Sequence, residues 1–155
     1  MGKGMPYRSR SCRIALTFGA LVACIATSSD AASCTREDFA SVVDRSGQAL
    51  RELNSKNAPK FQARLRELKI KRDWNESAFL VNARPFVDDD QIAAYDEKSG
   101  QLLASINSLG GDEPSGPPDC ALLDKLTNQL NSLVAVMLAK WNYMFEKLEK
   151  ALAEQ

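Results

Sequence analysis

The 155-residue chain contains no histidine. This removes the Ser-His-Asp and Cys-His nucleophilic arrangements and the commonest zinc ligand, so any catalytic chemistry would fall to carboxylates. An excess of one charge is also lacking, with 20 basic against 20 acidic residues. A nucleic-acid binder is expected to carry a basic surplus, so no nucleic-acid partner is expected here. Long apolar runs are missing as well. "IALTFGALVACIA", residues 14–26, is thirteen residues long, whereas a helix crossing the hydrocarbon core needs about 20.

That short run has its own meaning. Lys3, Arg8, Arg10 and Arg13 precede it without an acidic residue, and Thr27, Ser28, Ser29 and Asp30 close it. A basic segment followed by a short apolar one predicts a secretory signal over residues 1–32, with Ser29 and Ala31 supplying the small residues a signal peptidase needs. An alternative signal ends at 23. "LVAC", residues 21–24, resembles the lipobox of bacterial lipoproteins, and the resemblance implies lipidation of Cys24, with "IATSSDAAS" as a tether. Either route leads to the periplasm or the extracellular space, free or lipid-anchored to a membrane. The remaining chain, 33–155, has 16 basic and 19 acidic residues, a net charge of −3. Its length suits one helical domain with a modest core.

Of the four cysteines, Cys12 and Cys24 fall in the presequence. Cys34 and Cys120 are left with one intramolecular pairing open to them in an exported chain. Two thiols without a histidine make a poor metal site, so a disulfide is expected and no metal or other cofactor.

Apolar periodicity predicts an all-α fold: a small bundle of about four main helices with a long C-terminal helix. Thr35 and Asp38 in "TREDF" mark a helix start. Phe39, Val42, Val43, Ser46, Ala49, Leu50 and Leu53 then fall within a sector of about 120°, giving a helix over 36–53. Asn57 and Pro59 read as the start of a second helix carrying Phe61, Leu65 and Leu68. Residues 74–87 read as a short helix or an extended strip. Asp88 and Gln91 resemble a capping box opening a helix over 89–108, and "GGDEPSGPPD" is a loop. No glycine or proline interrupts residues 120–153, which predicts one helix about 50 Å long, with Lys140 as a point where it could break.

The disulfide adds a topological constraint. Both cysteines lie at helix starts, so the first and last helices should run parallel. With four main helices, that requires residues 74–87 to cross the length of the bundle.

Several clusters invite a functional reading. Lys56 to Arg72 holds seven basic residues and one acid. Lys60, Arg64 and Lys71 on one face, followed by Trp74, could bind an anionic membrane surface or an acidic polymer. That reading requires Trp74 to be exposed. Val136 and Tyr143 lie off the main apolar stripe of the last helix, beside Ala135 and Ala139, and suggest a face for a partner protein or for self-association. Asp88, Asp89, Asp90, Asp96 and Glu97 are the acids a small carboxylate-dependent hydrolase would use. Their order lacks the alternation and closing glutamate of a calcium loop, and helix capping explains them better. Asn75-Glu76-Ser77 is formally a glycosylation sequon. Taken together, the sequence favours an exported, non-enzymatic binding or accessory protein of the bacterial envelope.

Overall fold

The computed structural model describes residues 33–110 and 117–154. The expected signal segment, with Cys12 and Cys24, lies outside the described residues, as does the centre of the Gly/Pro-rich stretch. Four helices and no strand occur among the described residues: α1 (Arg36–Lys71), α2 (Glu76–Ala83), α3 (Asp90–Gly110) and α4 (Cys120–Ala153), with a 3-10 turn at Arg84–Phe86. None of these helices is long and apolar enough to cross a membrane.

α1 opens as the sequence suggests. The Thr35 hydroxyl accepts from the Asp38 backbone N–H at 3.2 Å, and the Thr35 N–H donates to the Asp38 carboxylate at 2.8 Å. The expected second start at Asn57 and Pro59 does not exist. α1 runs unbroken through Pro59. An interior proline removes one backbone hydrogen bond and costs about 3 kcal/mol. Tertiary packing offsets that cost, because Phe61 and Leu68 beyond the proline are buried against α4. Before it, Asn54 accepts a hydrogen bond from the Trp141 indole at 3.1 Å. The carbonyl left unpaired belongs to exposed Ser55, where water can reach it.

At the far end, Arg72 and Asp73 close α1 in a Schellman motif. The Trp74 N–H donates to the Lys69 carbonyl and the Asp73 N–H to the Ile70 carbonyl. Asp73 occupies the left-handed region, φ 50°, a conformation aspartate tolerates better than most residues. Residues 74–87 resolve into α2 and the 3-10 turn. Asn75 caps α2 by accepting from the Ala78 N–H at 2.8 Å, so its amide has a structural use.

α3 begins one residue later than the acidic run suggests. Asp89, not Asp88, accepts from the Ile92 N–H at 2.7 Å, while Asp88 pairs with Arg84 at 2.9 Å. α4 starts behind the Asp119 cap and passes Lys140 without a break.

α1 and α4 are parallel and in register. Partners along them stay 81 to 87 residues apart in sequence: Cys34 with Cys120, Asn54 with Trp141, Arg64 with Glu149, Lys71 with Leu152. α3 is antiparallel to α4, since its contacts move from Lys147 at Asp89 through Lys140 at Asp96 to Met137 at Ser99. Cys34 and Cys120 sit at disulfide distance, with Cα atoms 5.4 Å apart. The parallel arrangement therefore needs no crossing segment. Because 36–71 is one helix, three long helices running up, down and up bring the first and last into line, and 74–87 only turns the chain at one end.

Most of the buried apolar residues fall into two clusters, with Leu133 and Val136 of α4 buried outside both. At the α2 end, Phe61, Leu68, Ile92, Met144, Leu148 and Leu152 pack together, with Trp74 and Phe86 partly buried against them. Phe61 meets Trp141 and Phe145 edge to face, at 6.0 and 5.5 Å between ring centres. At the disulfide end the cluster is smaller: Val42, Leu126 and Leu130, with Phe39, Ile106, Leu109 and Leu123 beside them.

Candidate functional site

The acidic residues at the start of α3 have partners of their own. Asp89 is bound by Lys147 and accepts from the Tyr143 hydroxyl at 2.9 Å. Partial burial pushes its carboxyl up, but the bonds from Lys147, the Ile92 N–H and Tyr143 outweigh that and hold it at about 2. A general acid needs the opposite shift. Asp96 pairs with Lys140, Glu97 accepts from Gln101 at 3.1 Å, and Asp90 is exposed in the first turn. Among the described residues no three His, Cys, Asp or Glu side chains gather where a metal ion could sit.

The basic stretch is largely engaged within the fold. Arg64 binds Glu149 at 2.7 Å through Nε and also contacts Glu67. The bond to Glu149 raises the Arg64 pKa further and lowers that of Glu149. Lys69 pairs with Glu76 and lies 5.3 Å from the Phe79 ring centre. Parallel packing brings the negative ends of the α1 and α4 dipoles together, which is unfavourable unless cations intervene. Lys71 and Arg72 fill that role. Lys71 donates to the Leu152 carbonyl at 2.6 Å, and Arg72 to the Ala151 carbonyl at 3.1 Å. Trp74 packs on the core rather than standing free. Of the predicted anionic-ligand set only Lys60 remains; it, Lys56 and Arg66 have no ion-pair partner among the described residues.

Val136 and Tyr143 face a partner already present. Val136 is buried, on the flank of α4 where, one and two turns on, Lys140 meets Asp96 and Tyr143 meets the Tyr95 ring at 6.2 Å. That partner is α3 of the same chain. The open apolar feature lies elsewhere on α4. A groove of about 560 Å³ runs between α1 and α4, with Val42, Ala49, Val134, Ala135 and Leu138 in its walls and Arg45 at its edge. No residue of α3 lines it, and Leu138 is 45% exposed.

Small residues make this groove. Ser46 and Ala49 on α1 lie opposite Thr127, Ala135 and Val134 on α4, so the backbones are in register but the side chains do not fill the space between them. The sequence offered Ala135, beside the expected partner face of the last helix, and Ser46 and Ala49 on the first, but gave no indication that they lie across from one another.

A second apolar feature stands at the other end. None of the residues of α2 is buried, and Leu80 and Val81 are 74% and 72% exposed. The helix is fastened on both sides, through Trp74 before it and Phe86 after it, and Lys147 binds the Pro85 carbonyl. It is thus a fixed handle with its aliphatic residues outward. No protein-family model, curated protein or solved structure matches this chain.

Proposed function

We propose that this chain is an exported, non-enzymatic helical protein of the bacterial envelope, acting as a binding or accessory module through protein contacts. The basic and apolar presequence and the disulfide-distance cysteine pair support the location. The observation that carries the binding role is the open groove between α1 and α4, walled by Val42, Ala49, Val134, Ala135 and Leu138. It is wide open to solvent, a shallow seat for the side chains of a partner rather than an enclosed ligand pocket. Among the described residues it carries no acid and a single cation, and Ser46, Thr127 and Asn131 lie beside the aliphatic residues, a composition suited to the mixed apolar and polar surface of a protein partner.

Capture experiments from the native envelope, with the wild-type chain and with Leu138→Asp, test the reading. Proteins retained by the wild type and lost with the variant support it; an identical set from both chains contradicts it. A second reading, peripheral binding of anionic lipid or polymer, draws on unpaired Lys56, Lys60 and Arg66. The engagement of Arg64, Lys69, Lys71 and Arg72 and the packing of Trp74 weigh against it. Sedimentation with anionic vesicles at low salt addresses it, and no binding there would exclude it.

A further inference from the structure

We infer that the partner of the groove is a second copy of this chain, whose α2 handle seats in it; this rests on the protein-contact reading above. The two surfaces match in kind. Leu80 and Val81 project from a helix held at both ends, and the groove presents aliphatic side chains, with Ser46, Thr127 and Asn131 among them, at a site that no other described helix covers.

One charge contact is open to the pair as well. The charged residue in the groove is Arg45, whose Nε donates to the Ser41 carbonyl at 3.2 Å; its terminal nitrogens form no hydrogen bond or ion pair among the described residues, although Asp38 feels its charge. Beside Leu80 and Val81, Glu76 is held by Lys69 through one oxygen, and its side chain is 85% exposed. An anionic membrane is a poorer occupant, because the charges flanking α2 are mixed: Lys69 and Arg84 against Glu76 and Asp88.

The handle cannot reach its own groove. From Ala49, at the inner end of the groove, to Lys71, where α1 ends, is about 33 Å at 1.5 Å per residue. The contact must be intermolecular. Each copy then offers one handle and one groove, so two copies can join reciprocally as a two-fold dimer, or the contact can repeat from copy to copy into a ring or chain.

Sedimentation velocity on the purified full chain over a concentration series tests this. The wild type should show mass rising above that of the monomer with concentration. Leu80→Asp with Val81→Asp removes the handle, and Leu138→Asp removes the groove. These positions are solvent-exposed, so circular dichroism should show both variants folded. Each alone should weaken association by about tenfold or more, the cost of losing an interface anchor.

Mixed one to one, the two variants should form a discrete dimer and nothing larger, because one retains a groove and the other a handle. Arg45→Glu offers a second groove variant, whose loss of association Glu76→Arg in the other copy should restore. A wild type that stays monomeric, variants that associate unchanged, or a mixture without a heterodimer would overturn the inference. If the chain is monomeric but Leu138→Asp still loses an envelope protein in capture, self-association fails and the protein-contact reading stands. If both results are negative, both fail.

Discussion

Asn54 on α1 accepts a hydrogen bond from the indole of Trp141 on α4 at 3.1 Å, near the middle of a parallel helix pair. Cysteines close the pair at one end, and Lys71 and Arg72 bind the last carbonyls of α4 at the other. The contact holds α1 in register just before Pro59, where local rules would end a helix. The open groove borders the same seam, on the disulfide side of Asn54.

Pro59→Ala should stabilise the chain. It restores a backbone bond to Ser55 and removes the ring clash, against a smaller loss from a more flexible unfolded state. A net gain of about 1–2 kcal/mol in urea denaturation is expected. Loss of stability would mean that Pro59 starts a separate helix.

Cys34→Ser with Cys120→Ser should cost about 2–5 kcal/mol, since the bridge closes a loop 86 residues apart in sequence. The loss should be local. Hydrogen exchange should quicken most in residues 36–50 and 120–131, which rest on the small Val42, Leu126 and Leu130 cluster, and least around Phe61 and Leu148. Uniform quickening would contradict the two-cluster description.

Asp89 gives the fold an acid-sensitive contact. Its folded value of about 2 lies below the unfolded value of about 3.9. The native state therefore binds fewer protons, and the contribution is complete above about pH 4 and lost as pH falls toward 2. Asp89→Asn should lower stability at pH 7 by up to about 2 kcal/mol and flatten the acid limb of a stability-against-pH profile. An unchanged acid limb would show that the Lys147 and Tyr143 contacts are not maintained in solution.

Asp73 provides a backbone test. At φ 50° glycine is favoured, so Asp73→Gly should raise stability by about 0.5–1 kcal/mol, and Asp73→Val should lower it by at least as much. Chemical denaturation of the two variants would measure both. Opposite signs would mean that α1 does not end in the turn described.

What the sequence disclosed was mostly local. The Thr35 and Asp38 box, the uninterrupted run of α4 and the pairing of Cys34 with Cys120 follow from spacing and from counting. Pro59 misled because a helix-start signal was weighed without Phe61 and Leu68, whose packing carries α1 past it. The capping aspartate was misplaced by one residue, since Asp88 and Asp89 are chemically alike and only the direction of the chain selects between them. The charge of the basic stretch looked free because two of its main partners, Glu149 and Glu154, lie about 80 residues downstream. Val136 looked available because periodicity fixes a face of a helix without saying what covers it. The groove was least visible of all, being a space left between Ala49 and Ala135 on helices distant in sequence.

The most direct measurement is site-specific photo-crosslinking from Ala135, inside the groove, in the full chain within its native host cells, with exposed Gln101 on α3 as the control. A groove that binds protein predicts one or a few discrete adducts from position 135, lost when Leu138 is replaced by aspartate, and no comparable adduct from position 101. An absence of adducts from 135, or the same diffuse pattern from both positions, would contradict it.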